Sequence, residues 1–189
     1  MKSSDNGRAV HPFGPVIAPD SRVLILGSFP SVKSREQNFF YGHPQNRFWR
    51  VMAGVLGCAV PQTIPEKRQM LLTHKIALWD VLQSCEIAGS SDASIRNAAP
   101  NDIAGLLSAH TIRAVFSNGS ASFRMYETYI LPQTDTPHFL LPSTSPANAR
   151  YSVDALTEAW RVILDYLWPG SAAGTKTGAG RPGRIRFRR

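Results

Sequence analysis

The chain has 189 residues, enough for one α/β domain with a sizeable core, and its content of 43% hydrophobic and 18% charged residues is typical of a soluble globular protein. No apolar run approaches the ~20 residues needed to span a bilayer, and residues 1–10 lack the apolar core of a signal peptide. We therefore expect a cytoplasmic protein with no membrane contact. Cys58 and Cys85 are the only cysteines, too few for an iron–sulfur cluster or a four-cysteine zinc site, and both are predicted to lie in the core.

The net charge of +8 is unevenly distributed along the chain. Residues 171–189 contain six Lys or Arg and no acidic residue, so the rest of the chain carries only +2. This composition predicts a disordered basic tail over 171–189, a disordered N-terminus over 1–10 and a single domain over 11–170. The tail either adds salt-dependent attraction to phosphates or is an incidental extension.

Apolar runs of strand length alternate with helical patterns along the chain. The first run, 22–27, is continuously apolar and ends at Gly27, as expected for a parallel strand covered on both faces. A helical pattern then begins at Asn46, which suits an N-cap, and stops at Gly57. Further strands are predicted over 76–82, 112–116 and 137–142, and further helices over 65–74, 102–109, 119–130 and 152–167.

Alternating strands and helices favour a parallel sheet with helices on both faces. Right-handed crossovers place the carboxyl ends of all strands at one edge, where such sheets bind ligands. The residues that follow the strands are small and polar, and they predict a pocket rich in backbone donors and hydroxyl groups: 27–31, Asp80, 117–119 and 143–148. Taken singly, each loop is ordinary turn chemistry.

Residues 40–50 combine aromatic rings, arginines and the amide of Asn46 soon after the first strand. Aromatic faces and hydrogen-bonding groups together suit a nucleobase that has been taken out of its stack. The spacing of Phe48 and Trp49 fits the apolar stripe of the helix, so these two rings are predicted to be core.

Three segments resemble the motifs of the uracil-DNA glycosylase superfamily, and in particular its hypoxanthine-DNA (deoxyinosine) glycosylase branch: 27–31 (GSFPS), 39–49 (FFYGHPQNRFW) and 141–149 (LPSTSPANA). The resemblance covers residues 11 to about 168. It implies a three-layer α/β/α sandwich around a four-stranded parallel sheet. It also implies a monomeric enzyme without metal or cofactor that acts on DNA containing a deaminated base, hypoxanthine first and uracil second.

Two catalytic positions depart from the better-known members of this family. Phe29 stands where those members have an Asp or Asn that positions water, and Leu141 stands where the uracil-specific members have a His that supports the departing base. The resemblance offers Asn46 as the catalytic residue, with its carbonyl oxygen accepting a hydrogen bond from the attacking water. The alternative is that Asn46 only caps its helix.

For the base, Phe29 is predicted to form the floor of the pocket, with Phe40 or Tyr41 as a second wall. Asp80 is expected to contact the edge of the base, although a buried carboxylate paired with an Arg or with backbone is an equal alternative. Ser143 and Thr144 are predicted to donate hydrogen bonds to the departing base.

The predicted DNA contacts are mainly small polar residues, with two arginines for the phosphates. They are Ser28, Ser31, Ser34, His43, Arg47, Asn118, Ser145, Asn148 and Arg150.

Lys33 and Lys75 are the candidates for a Schiff-base nucleophile, but nothing marks either as desolvated, so a monofunctional hydrolase is predicted. A noncatalytic nucleic-acid-binding module is the main alternative, and a serine hydrolase is disfavoured because the chain lacks a Gly-x-Ser-x-Gly elbow.

Overall fold

The structure is a computed structural model that describes residues 8–168. The predicted basic tail lies outside the described residues. No helix in the described part is long and apolar enough to cross a membrane.

The strands are β1 (Arg8–Val10), β2 (Val23–Gly27), β3 (Ile76–Asp80), β4 (Leu82–Glu86), β5 (Arg96–Pro100), β6 (Ala114–Asn118) and β7 (His138–Leu141). The α-helices are α1 (Val32–Gln37), α2 (Phe48–Leu56), α3 (Ile64–Thr73), α4 (Ile103–Ala109), α5 (Ser120–Tyr129), α6 (Val153–Trp160) and α7 (Ile163–Leu167).

The main sheet has four parallel strands in the order β3-β2-β6-β7. All five residues of β2 are buried, and they alternate between two cores because successive side chains of a strand point to opposite faces. Val23 and Ile25 pack with α2, α3, α6 and α7, whereas Leu24 and Leu26 pack with α4 and α5. The predicted α/β/α sandwich around a four-stranded parallel sheet is confirmed.

A second sheet of three antiparallel strands, β1-β4-β5, was not predicted. The sequence pattern extended the second strand to residue 82, but the parallel pairing ends at Asp80 and a new strand, β4, begins at Leu82. Arg8–Val10 form β1 against β4, although the N-terminus up to residue 10 was expected to be disordered. Short strands with polar and half-exposed residues carry little periodicity, which is why this sheet left no clear pattern.

Several smaller expectations differ from the structure. Cys85 is buried as predicted, but Cys58 is exposed, because it follows Gly57, the left-handed cap that ends α2 at the surface. The predicted last helix is two helices, α6 and α7. The helix predicted over 102–109 begins at Ile103, and Asp102 is its N-cap, whose side chain accepts a hydrogen bond from Gly105 N.

Candidate active site

A cavity of about 330 Å³ opens at the carboxyl ends of the parallel strands. Its walls come from the loop after β2, the segment before α2, the end of β3, the loop after β4, the end of β6 and the loop after β7. The lining residues are Ser28, Phe29, Pro30, Ser31, Ser34, Phe40, Tyr41, His43, Asn46, Asp80, Ser90, Asp92, Asn118, Ser143, Ser145 and Pro146. The sheet topology thus brings most of the predicted site residues together.

Asn46 lies half-buried in the cavity wall, and its side-chain oxygen is hydrogen-bonded. Oδ1 accepts from Phe48 N at 2.9 Å and from the Thr144 hydroxyl at 3.0 Å. The first bond is of the capping type, although the formal N-cap of α2 is Arg47, which makes no side-chain cap. Asn46 therefore supports the start of α2 and lines the cavity at the same time.

Thr144 does not line the cavity. Its side chain is completely buried, where its Oγ1 accepts from Asn118 Nδ2 at 2.9 Å and donates to Asn46. The expected donation from Thr144 to a base is replaced by a contact behind the cavity wall, because the loop after β7 turns this side chain inward. Of the two residues predicted together, Ser143 lines the cavity.

Arg47 holds the loop after β7 in place. Its guanidinium donates to the carbonyl oxygens of Thr144 (3.3 Å), Ser145 (2.6 Å), Asn148 (2.9 Å) and Tyr151. Four of its five N–H donors are thus occupied by backbone carbonyls. The sequence analysis predicted only a phosphate contact for Arg47. In the structure this side chain also shapes the site by holding the loop after β7.

Asp80 lies at the cavity with only 4% of its surface exposed. Its Oδ2 is 2.8 Å from His11 Nε2, and Phe13 N lies 3.5 Å from His11 Nδ1. Since a backbone N–H only donates, Nδ1 is the acceptor and Nε2 carries the proton that His11 donates to Asp80. The alternative to base contact considered from the sequence was a carboxylate paired with an Arg or with backbone, whereas the partner in the structure is a histidine 69 residues away in sequence.

Gly27 is required by the position of the Asp80 carboxylate. A Cβ atom at residue 27 would lie 2.1 Å from Asp80 Oδ1, far inside van der Waals contact. The Gly at the end of β2 therefore leaves room for the carboxylate to reach the cavity from the neighbouring strand β3.

Three aromatic rings contribute to the cavity. Phe29 and Phe40 are 8% and 2% exposed, so they present only an edge or part of a face. Tyr41 stacks on Phe48 with ring centroids 4.1 Å apart. Its hydroxyl is buried, and burial, with a smaller effect of the Asp80 charge, raises the pKa of Tyr41, an effect that a hydrogen bond with the Asn118 side chain opposes. Phe48 and Trp49 are core residues, as predicted.

Most of the small polar residues of the cavity already have local partners. The Ser31 hydroxyl caps α1 by accepting from Ser34 N, and the Ser34 hydroxyl accepts from Gly42 N. Ser28 donates to Asp92 Oδ1 at 2.6 Å. His43 Nδ1 accepts from Gln45 N at 3.2 Å.

The loop after β7 is braced internally as well as by Arg47. Asn148 Nδ2 donates to Ser143 O at 2.9 Å, and Ser145 N donates to the Ser143 hydroxyl at 3.2 Å. Arg150 is exposed beyond these contacts and does not line the cavity. A contact of Arg150 with DNA outside the cavity stays a prediction.

Sequence reasoning missed three residues of the site. His11 holds Asp80, and Ser90 and Asp92 enter the cavity wall from the loop between β4 and β5. Asp92 is exposed at the rim of the cavity, where partial desolvation of its carboxylate raises its pKa, an effect that the hydrogen bond from Ser28 opposes. None of the three lies in a recognisable motif, and their proximity depends on the antiparallel sheet that was not predicted.

The two lysines considered as nucleophiles are ion-paired at the surface. Lys33 contacts Glu36 at 2.8 Å and Lys75 contacts Asp20 at 3.2 Å. Neither lines the cavity. Within residues 8–168 there is no group of three His, Cys, Asp or Glu side chains that could hold a metal ion.

The fold and the cavity define an α/β sandwich protein with a pocket of aromatic and hydrogen-bonding side chains at the carboxyl ends of its parallel strands. The chain belongs to the uracil DNA glycosylase superfamily, whose family model matches residues 15–164. This confirms the family indicated by the three sequence motifs.

Relatives with related names cover most of the chain. A hypoxanthine DNA glycosylase of Methanosarcina acetivorans is 33% identical over 154 residues, which is 80% of this chain and 96% of the relative. A hypoxanthine DNA glycosylase of Methanosarcina barkeri is 33% identical over 150 residues, 78% of this chain and 93% of the relative. The solution NMR structure of a Methanosarcina acetivorans protein described as a uracil DNA glycosylase matches with a TM-score of 0.71 and 32% identity, covering 82% of this chain and 96% of that one.

Proposed function

We propose that this protein is a monofunctional DNA glycosylase of base-excision repair that removes hypoxanthine from DNA, with uracil as a second substrate. The observation that carries the proposal is that Asn46 and Asp80 line the same cavity in a chain similar to hypoxanthine DNA glycosylases. The protein is proposed to act as a monomer in the cytoplasm, on a nucleotide flipped out of the helix.

The reaction replaces the bond between the base and C1′ of deoxyribose by a bond to water. The electron pair of the broken bond leaves with the base, while the sugar passes through a cation-like state before water adds at C1′ and loses a proton. The products are the free base and an abasic site. Because the base departs with negative charge, hydrogen-bond donors aimed at it lower the barrier.

Asp80 supplies a basis for choosing deaminated bases. His11 occupies Oδ2, while Oδ1 has no hydrogen-bond partner in the described part of the chain. Deamination of adenine converts N1 from an acceptor into an N–H donor, and deamination of cytosine does the same at N3. A carboxylate accepts from such an N–H and repels the lone pair of the parent base.

The aromatic residues that line the cavity support base binding. Phe29 and Phe40 are proposed to contact the ring, and Ser143 to donate to the departing base. The predicted contacts of Ser28, Ser31, Ser34, His43, Asn118, Ser145, Asn148 and Arg150 with the DNA strand are retained as part of the proposal.

The proposal is tested with end-labelled duplexes that carry one inosine, uracil or xanthine, followed by alkaline strand cleavage. We expect abasic product fastest from inosine, strand breaks only after alkali, and no covalent adduct on borohydride reduction. Folded protein that yields no abasic product from any of the three duplexes would overturn the proposal. Tight DNA binding without product would identify a noncatalytic binding module instead.

A further inference from the structure

The orientation of the Asn46 side-chain amide is determined by its neighbours. Phe48 N lies 2.9 Å from the amide atom that faces it. A backbone N–H only donates, so that atom must be the oxygen, and the nitrogen must point the other way. The assignment of oxygen and nitrogen in Asn46 therefore follows from chemistry.

The Thr144 hydroxyl reinforces this orientation through a chain of hydrogen bonds. The backbone N–H of Thr144 donates to Asn118 Oδ1 at 2.9 Å, which fixes the Asn118 amide with its nitrogen towards Thr144 Oγ1, also at 2.9 Å. Because Thr144 Oγ1 accepts from Asn118, its own hydrogen is free to point at Asn46 Oδ1, 3.0 Å away. Thr144 is completely buried, so water does not compete for these bonds.

The oxygen of Asn46 thus accepts two hydrogen bonds from the protein, which matches the two lone pairs of an amide carbonyl. Nδ2 makes no hydrogen bond to any residue in the described range 8–168, and Asn46 lines the cavity. The part of the amide that remains for a ligand is the NH2 group, a donor. The role expected from the sequence, a carbonyl oxygen that accepts from the attacking water, requires a lone pair that this network already uses.

We infer that Asn46 acts on the departing base as a hydrogen-bond donor through Nδ2, and that Thr144 and Asn118 are positioning residues that hold it in this orientation. The inference rests on the proposed glycosylase function. Negative charge develops on the ring nitrogens and carbonyl oxygen of hypoxanthine as its bond to C1′ breaks. A donor held in place before the reaction strengthens its hydrogen bond as that charge grows, and so stabilises the transition state more than the ground state.

The substitution Asn46→Asp separates the two roles. A carboxylate keeps the acceptor for Phe48 N and Thr144 but loses the donor and places a negative charge beside the leaving base. We expect single-turnover release of hypoxanthine at neutral pH to fall by roughly 10²–10³-fold, as far as in Asn46→Ala. The rate of Asn46→Asp should rise again as the pH falls through the pKa of the new carboxyl, because the protonated group can donate.

The opposite result would overturn the inference. If Asn46 orients water through its oxygen, Asn46→Asp is a stronger base, its rate equals or exceeds that of the wild type, and the rate falls in acid. Wild-type protein without any hypoxanthine release would overturn the proposed function itself. An active wild type with an active Asn46→Asp variant would overturn only the donor role.

The positioning role is tested with Thr144→Val and Thr144→Ser. Valine keeps the shape but removes the hydroxyl, so we expect a roughly tenfold slower chemical step with unchanged affinity for inosine DNA, and serine should restore the rate. Thr157→Val is the matched control, since Thr157 donates to Val153 O within α6. A lower melting temperature with a wild-type rate per folded molecule in Thr144→Val would show a structural role only and overturn the positioning role.

Discussion

Asn46 and Asp80 face one cavity with opposite hydrogen-bonding capacities. In Asn46 the protein occupies the oxygen and leaves the NH2 group for a ligand, whereas in Asp80 His11 occupies one oxygen and leaves the other acceptor. A donor suits the part of the base where negative charge develops, and an acceptor suits the N–H that deamination creates. Each side chain is held by at least one partner distant in sequence, Thr144 for Asn46 and His11 for Asp80, which reduces the entropy lost when a base binds.

Replacement of Asp80 by Asn tests the selection of deaminated bases. The His11 N–H needs an acceptor, so the new amide should turn its oxygen to His11 and its NH2 group towards the cavity. That donor would oppose the N1–H of hypoxanthine, and we expect excision from inosine duplexes to fall roughly 10²-fold or more. Single-turnover rates and competition by adenine-containing duplexes measure the effect.

Asp154→Asn is a suitable control for this substitution, because Asp154 is exposed in the first turn of α6. Its excision rate should match that of the wild type. Retention of full activity and of discrimination against adenine in Asp80→Asn would show that Asp80 serves only as the buried partner of His11.

At the scale of elements, the site depends on a loop that Arg47 ties to α2 and that is also braced by its own side chains. The loop after β7 carries Ser143 and Ser145 into the cavity and Thr144 behind it. The arginine at the start of α2 ties this loop to the helix through four carbonyl contacts. The segment before α2 and the loop after β7 are therefore connected by the Arg47 contacts as well as by the hydrogen bond between Asn46 and Thr144.

The substitution Arg47→Lys should loosen this connection. A lysine keeps the charge but cannot match the planar fork of donors, so we expect a loss of about 2 kcal/mol in the free energy of unfolding and faster amide exchange over residues 143–151. Urea denaturation and hydrogen exchange measure these effects. Arg50→Lys, at an exposed position of α2, is the control. If Arg47 contacted only phosphate, the lysine variant would keep wild-type stability.

The sequence was sufficient for the main sheet and for the location of the site. The apolar run at β2 and the helical stripes around it have the lengths and periods that their burial requires, and the polar residues after each strand indicated the edge at which the cavity lies. The three-stranded sheet was not predictable in the same way, because β1 has three residues and β5 is largely exposed. Their pairing depends on contacts distant in sequence.

The finer chemistry of the site was also beyond sequence patterns. The sequence identified Asn46 and Asp80 as site residues, but it did not show which of their side-chain atoms remain available to a ligand. The oxygen of Asn46 is bound by Phe48 N, two residues further on, and by Thr144, which Asn118 orients, while His11 binds one oxygen of Asp80. The side-chain directions of Thr144, Asn118 and His11 depend on how three separate segments fold against each other. A motif specifies residue types at a spacing, whereas the direction of a hydrogen bond depends on both partners.

For the molecule as a whole, His138 should make the stability depend on pH. His138 lies in the edge strand β7, 2.8 Å from the Ser117 hydroxyl and packed against the rings of Phe123 and Tyr126. Burial lowers its pKa from 6.5 to about 4. The folded protein therefore keeps this histidine neutral over a pH range in which the unfolded chain binds a proton.

Between pH 6.5 and about 4 the unfolded state binds more protons than the folded state. The contribution of His138 to the free energy of unfolding should therefore be complete above pH 6.5 and decrease as the pH falls towards 4. Since His138 is partly exposed, we expect its share of the loss to be about 1–2 kcal/mol. Urea denaturation at several pH values between 7 and 4 measures the change, and His138→Gln, which does not titrate, should show a smaller one. An identical pH dependence in both proteins would mean that His138 is protonated in the folded state as readily as in the unfolded chain, and that the packing of β7 against α5 tolerates the charge.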